Sequence, residues 1–247
     1  MLALKAVLLS TAWLFGPLEM GTAELRLEAM YAQANLAQAA SESQRQETQM
    51  SLGAYVGVTQ DVWIGLTLPH HFVRQGYQGR LFFDRARLGA ITLQAAYQLD
   101  RSSFVSVVGS IDLGDDAADF DGRFGELEDR FATIDPENTV GFQGGTIHLW
   151  QGWRFGLLGN IQTPVSDTAL HLRGSAYALF EPGQGIFSFG PNISLDHAPD
   201  GHIFRVGFLE RLGGDRGWSA EMTFFTDVLS DSSELSTGVT GALVWRG

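Results

Sequence analysis

From residue 50 onward apolar side chains recur at every second position, in runs that match the roughly 9 to 11 residues a tilted strand needs to cross a bilayer. The clearest run is Ile91, Leu93, Ala95, Tyr97 and Leu99, alternating with Thr92, Gln94, Ala96 and Gln98. Successive side chains of a strand point to opposite faces, so one face can meet hydrocarbon while the other meets water or a polar lumen. Comparable rows begin at Met50, Trp153, Leu170, Phe187, Phe204, Trp218 and Val239. Turn-forming clusters separate them at Glu181-Pro182-Gly183, Ala198-Pro199-Asp200-Gly201, Gly213-Gly214-Asp215 and Ser230-Asp231-Ser232-Ser233, the chemistry of hairpin connections.

The expected fold is all-β: an antiparallel transmembrane β-barrel of about twelve strands, with ten as the alternative, at roughly 19 residues per strand and connection. A soluble β-sandwich also alternates, but its aromatics belong inside a shared core. Here Trp63, Phe72, Tyr97, Trp150, Trp153, Phe180, Phe187, Trp218 and Trp245 gather near strand ends, where two interfacial girdles would lie. No later stretch has the roughly 18 consecutive apolar residues of a spanning helix.

Export fits this reading. Residues 1–23 divide into a start carrying Lys5, an apolar run from Ala6 to Phe15, and a polar stretch ending Gly21-Thr22-Ala23, the three parts of a secretory signal. Cleavage is expected after Ala23, leaving residues 24–247 as the barrel. The net charge of -12, with Lys5 the sole lysine, excludes a nucleic-acid binder, and the absence of cysteine excludes thiolate and disulfide chemistry. Nothing in the sequence calls for a cofactor.

Some segments fit poorly. Leu25, Leu27, Ala29 and Tyr31 open the barrel, but the Ala- and Gln-rich continuation to Ala40 reads equally as helix or loose plug. Segment 79–88 is the poorest strand, because Arg85 and Arg87 must face the lumen: an arginine on the lipid face at mid-bilayer costs roughly 2–4 kcal/mol. Val140 and Phe142 share one parity, Ile147 and Leu149 the other, which suggests a bulge at Gly144-Gly145 or a misplaced strand.

The acidic stretch 112–137 reads as a long solvated loop. Within it Asp119, Asp121 and Glu126 are weak calcium candidates, since Asp119-Phe-Asp121-Gly122 resembles a fragment of a calcium loop without its full spacing. No catalytic set is expected. His171 and Ser175 share a strand face, but four positions along a strand separate them by about 13 Å, too far for direct proton transfer. His70-His71 follows Pro69 at a strand end and reads as an interface pair rather than a metal site. Arg85, Arg87, Arg154, Arg173, Arg205 and Glu221 lie opposite the apolar rows and are the candidate lumen residues. They either line a narrow pore, selecting small anions, or knit a closed core through ion pairs with groups such as Glu28 and Asp196.

The final strand, Thr237 to Trp245, resembles the C-terminal assembly signal of outer-membrane barrels, with Arg246 and Gly247 added after the aromatic. Three segments resemble the MipA/OmpV family of outer-membrane barrels over about residues 79–247: Arg87-Leu-Gly-Ala-Ile-Thr-Leu, Ala132-Thr-Ile-Asp-Pro-Glu-Asn-Thr-Val-Gly and Phe189-Gly-Pro-Asn-Ile-Ser-Leu-Asp196. The family's Gly-Gly-His turn is missing at Asn160-Ile161-Gln162-Thr163. The resemblance implies an envelope role, including scaffolding of periplasmic murein-processing enzymes, in the outer membrane of a Gram-negative bacterium among lipid and lipopolysaccharide. The expected function is thus a structural or scaffolding barrel; the alternative is a narrow channel for small polar solutes, and a lipid hydrolase ranks third.

Overall fold

Alternation becomes strand wherever its two faces can be sorted between two environments, and in this chain the apolar face sorts outward. In the computed structural model, residues 18–36, 43–77, 80–88, 90–111, 138–165, 170–182, 186–198, 201–230 and 234–247 are described. They form β1 (Ala23–Leu36), β2 (Ser43–Gly57), β3 (Val62–Tyr77), β4 (Arg80–Leu88), β5 (Ile91–Gln98), β6 (Ser103–Ile111), β7 (Thr139–Trp150), β8 (Trp153–Pro164), β9 (His171–Phe180), β10 (Phe187–Ala198), β11 (Gly201–Gly213), β12 (Gly217–Ser230) and β13 (Glu234–Arg246). Neighbours in sequence pair antiparallel. The sheet closes because β1 pairs β2 on one side and β13 on the other.

The barrel has 12 staves. One is made of two pieces: β3 pairs β5 from Val62 to Thr67 and β4 from His70 to Tyr77, with a one-residue slip between. Leu68 and Pro69 fall in the gap. A proline has no N–H to donate, so a ladder interruption opposite Pro69 has a direct cause. The poorest strand in the sequence is therefore half of a broken stave. At the turn between β7 and β8, Gln151 and Gly152 both have positive φ (49° and 80°), and Trp150 pairs Trp153 across this two-residue turn.

Three expectations change. The Ala- and Gln-rich continuation after Tyr31 is neither helix nor plug: Ala32 to Leu36 complete β1, and Ser43 to Gln49 begin β2. Positions 37–42 lie outside the described residues. There is no bulge at Gly144-Gly145, since the ladder from β7 to β8 runs unbroken from Thr139 to Trp150. Ile147 breaks the apolar parity because it faces inward and packs on an apolar cluster inside the barrel.

Of the aromatics expected at the strand ends, the outward ones whose side chains are described gather in one belt. Tyr97, Trp150, Trp153, Phe180, Phe187, Trp218 and Trp245 all lie at the barrel end where the chain termini meet. Ring contacts link part of the belt, Trp153–Phe180 at 5.3 Å and Phe187–Phe189 at 5.4 Å. Trp63 points inward against Tyr55 and Phe104. Phe72 lies outside the described side chains.

The wall is inverted relative to a soluble protein: Leu157, Phe142, Leu25, Leu243 and Ile193 stand exposed outside, while Arg26, Glu28, Arg205 and Glu221 are buried inside. Leu157, 60 % exposed in the middle of β8, tests that assignment. Leu157→Arg is expected to cost about 2–4 kcal/mol in a urea titration of the liposome-folded barrel. Unchanged stability would remove the lipid-facing assignment of this row.

Candidate functional site

The inward parity of each strand decides what the lumen contains. On β1 it presents Glu24, Arg26 and Glu28, alternating with outward Leu25 and Leu27. Arg26 donates to Glu28 at 3.0 Å and to Glu221 of β12 at 2.6 Å, with all three side chains almost wholly buried. Arg246 donates to Glu24 at 2.8 Å across the closing seam. In β11 Arg205 donates to Asp227 at 2.6 Å and lies 4.9 Å from the Phe225 ring centre. Asp227 also accepts from the backbone N–H and the hydroxyl of Ser236. Such pairing is what allows charges to persist where water is scarce.

At the end where the termini meet, Arg154 donates to Glu181 at 2.6 Å and reaches Asp215 at 3.4 Å, and Arg211 donates to Asp215 at 2.7 Å. These contacts tie together the β9–β10 and β11–β12 connections. Burial works to raise the Asp215 pKa, but the hydrogen bond from Arg211 and the charges of Arg154 and Arg211 outweigh it and hold the carboxyl below the usual aspartate range. A depressed carboxylate pKa stabilises the fold above the unfolded value, so this tie holds at neutral pH and is lost only as pH falls through the lowered value.

Of the candidate lumen residues, Arg154, Arg173, Arg205 and Glu221 all face inward, and each is ion-paired; Arg173 takes Asp196 at 3.3 Å. Arg85 and Arg87 belong to β4, whose side chains lie outside those described. Asp119, Asp121 and Glu126 also lie outside the described residues. Each inward arginine whose side chain is described has a carboxylate partner, so that part of the lumen offers no uncompensated positive field of the kind an anion selector needs. The sequence reading passed over Arg26, Arg211 and Arg246. Arg26 was legible as the polar partner of Leu25 and Leu27, whereas Arg246 stood out only as a departure from the aromatic ending.

His171 and Ser175 share the inward face of β9 with Arg173, while Leu172 points out. A lipid-cleaving pair needs the opposite orientation. His197 and His202 form an exposed cross-strand pair, ring centres 6.2 Å apart.

The lumen is not uniformly filled. Inward residues of β11, β12, β13 and β1 are largely buried, and so is an apolar cluster of Leu18, Trp63, Ala96, Phe104 and Leu158. In contrast Arg173, Ser175 and Tyr177 of β9 and Asn192 and Ser194 of β10 remain partly exposed, as do Thr92 and Gln94 of β5. Polar side chains thus line a lane that solvent reaches inside a closed barrel.

No family model matches the chain, and no curated protein matches its sequence. Solved structures do match. An outer membrane channel from Pseudomonas putida F1 aligns over 94% of this chain and 98% of its own, with a TM-score of 0.66 at 13% identity. The translocator domain of the autotransporter NalP from Neisseria meningitidis aligns over 91% and 88%, with a TM-score of 0.57 at 9% identity. The β domain of the Bordetella autotransporter BrkA aligns over 91% and 98%, with a TM-score of 0.53 at 12% identity. The shared fold is the bacterial outer-membrane β-barrel. With its apolar outer wall, this fold places the chain in the outer membrane of a Gram-negative bacterium.

The Arg26 cluster is open to a double-mutant cycle. Arg26→Met leaves Glu28 and Glu221 buried without their cation and is expected to cost about 3–5 kcal/mol in urea midpoint measurements on the folded barrel. Adding Glu221→Met should recover much of that loss, and additive losses would show that the pair is not coupled.

Proposed function

We propose that this protein is a narrow channel for small polar solutes across the outer membrane. The observation that carries the reading is the solvent-reached polar lane on β9 and β10, running inside a closed wall. A 12-stave barrel is wider than the eight-stranded kind that side chains fill, so a partial packing of ion pairs still leaves room for a conduit. The Pseudomonas putida protein of the same fold is described as a channel, which agrees with this reading. Purified protein in planar bilayers is expected to give discrete conductance steps. A folded, heat-modifiable but electrically silent barrel would overturn the proposal.

A second reading, a structural barrel that scaffolds murein-processing enzymes, draws on the MipA/OmpV resemblance. The ion pairs filling the β11–β1 side favour it, because they stiffen the wall there at the expense of open section. Its mark is co-purification of the silent barrel with periplasmic murein enzymes. Either way the outer wall would contact lipid and lipopolysaccharide.

Processing after Ala23 belongs to the same proposal. It would remove Leu18 from the cluster with Trp63, Phe104 and Leu158, exposing these side chains to the lumen end. Mass spectrometry of the membrane-inserted protein is expected to find Glu24 first, and a chain retaining Leu18 would refute the cleavage.

A further inference from the structure

The outward rows of β8 to β13 are mostly apolar, and Glu210 is an exception. It stands on β11 between outward Phe208 and Leu212, while its sequence neighbour Arg211 turns inward to Asp215. Its cross-strand partners are Phe189 on β10 and Met222 on β12, both on the outer face. The inward carboxylates Glu24, Glu28, Asp196, Glu221 and Asp227 each meet an arginine. The Glu210 carboxylate has no hydrogen-bond or ion-pair partner among the described residues. Its counter-charge must come from outside the chain.

Phenyl rings surround it. Phe189 is its direct partner, Phe208 lies two residues before it on β11, and Phe187 sits on the diagonal, opposite Leu212. Ring contacts join these into one cluster with Phe180: Phe180–Phe189 at 5.9 Å, Phe187–Phe189 at 5.4 Å and Phe189–Phe208 at 6.2 Å. Directly paired side chains on one face of an antiparallel ladder have Cβ atoms about 4.5–5.5 Å apart, and diagonal ones about 7–8 Å. A cation held by Glu210 therefore lies beside several ring faces. Ion pairing and the ring quadrupole then act in the same direction, which is the chemistry that recognises an organic ammonium. A hard metal ion needs a shell of oxygens that one carboxylate does not supply.

Depth decides which ammonium. Glu210 lies three residues from the end of β11 at Gly213, about 10 Å along the strand and less along the membrane normal once the strand tilts. That end carries the belt of Phe187 and Trp218, and its connections are short, such as Gln151-Gly152 between β7 and β8, the mark of the periplasmic side. At this height a glutamate side chain reaches the headgroups of the periplasmic leaflet. We infer that the Glu210 patch is a binding site for a phospholipid with a primary ammonium headgroup, an ethanolamine phospholipid. The carboxylate takes the ammonium, and Phe187, Phe189 and Phe208 flank the cation and the first methylenes of the acyl chains. A lysine of another protein offers the same cation, but Phe208, Leu212 and Met222 around Glu210 form the lipid-facing wall, so lipid is the occupant. The site goes beyond the channel reading and does not depend on it.

Native mass spectrometry of the detergent-folded barrel reads lipid retention directly. The probes are phosphatidylethanolamine and its N-acetylated derivative, which keeps the acyl chains and the phosphate but has no ammonium. Wild-type protein is expected to retain phosphatidylethanolamine about fivefold to tenfold more tightly than the N-acetyl lipid. Glu210→Gln, which keeps the shape and removes the charge, should bring the two lipids to near parity. Phe208→Leu, which keeps the wall apolar but takes away a ring face, should weaken phosphatidylethanolamine retention about threefold. Heat-modifiability on gels verifies folding of each variant. Equal retention of the two lipids by wild type needs no variant and overturns the inference, as does a preference that survives Glu210→Gln or a retention unchanged in Phe208→Leu. A polypeptide that co-purifies with wild type from native membranes and is lost with Glu210→Gln also overturns it, because the cation then belongs to a protein.

Discussion

In hydrocarbon no water is available to the backbone, so every strand N–H and C=O must find its partner within the protein. An open sheet fails this test at its two edges, and closure removes both. All other features follow from that requirement. It fixes an antiparallel meander of sequence neighbours joined by short connections, and it demands one long-range pairing, β1 with β13. In the uncleaved chain the seam ends on reciprocal bonds between Ala23 and Gly247, 2.7 Å and 3.0 Å, and beside them stands the Arg246–Glu24 ion pair, which cleavage after Ala23 would leave in place. Residues that look like an irregular tail after Trp245 are the final rung of the closure.

Closure also sets where charge can go. With the outer face largely apolar, each stave arginine whose side chain is described enters the lumen, and there it meets a carboxylate. The result is a set of local neutralities: Arg26 between Glu28 and Glu221, Arg205 on Asp227, Arg173 on Asp196. Their distribution is uneven around the barrel. Pairs crowd the β11–β1 side, and the β9–β10 side carries the Arg173–Asp196 pair among serines, a tyrosine and an amide. Ion pairing and solvent-reached polar side chains thus fall mostly on different arcs of the same wall.

Much of this architecture is written in period two. Ile91 to Leu99 shows both faces in a single run, and β8 to β13 follow it over most of their outward rows, with His197 and Glu210 as polar exceptions. Legibility fails where composition masks the period. The alanines and glutamines after Tyr31 carry no strong face, so β1 and the start of β2 take their form from pairing with neighbours rather than from their own pattern. Ile147 mislead by being apolar on the inside, next to Trp63 and Phe104, a choice that only the assembled lumen explains. The arginines could be placed inside by the cost of exposing them to lipid, but their partners could not be read. Arg26 and Glu221 are 195 residues apart, and no local spacing links them. Nor does parity show side-chain lean: the Tyr177 ring lies over Gly156 and the Asn192 amide over Gly207.

The seam has a kinetic meaning as well as a geometric one. Arg246 meets Glu24 from 222 positions away in sequence, the widest separation among the ion pairs described. Hairpins such as β7–β8 join residues that are close along the chain, and contacts of that kind form early, whereas joining the first strand to the last carries the full entropy of closing the largest loop. The polar edge of β1 therefore stays bare until the last strand is available, and for that interval the nascent sheet has two open margins. A chain built this way matures in one late, all-or-none event, and its most vulnerable species is the nearly finished one.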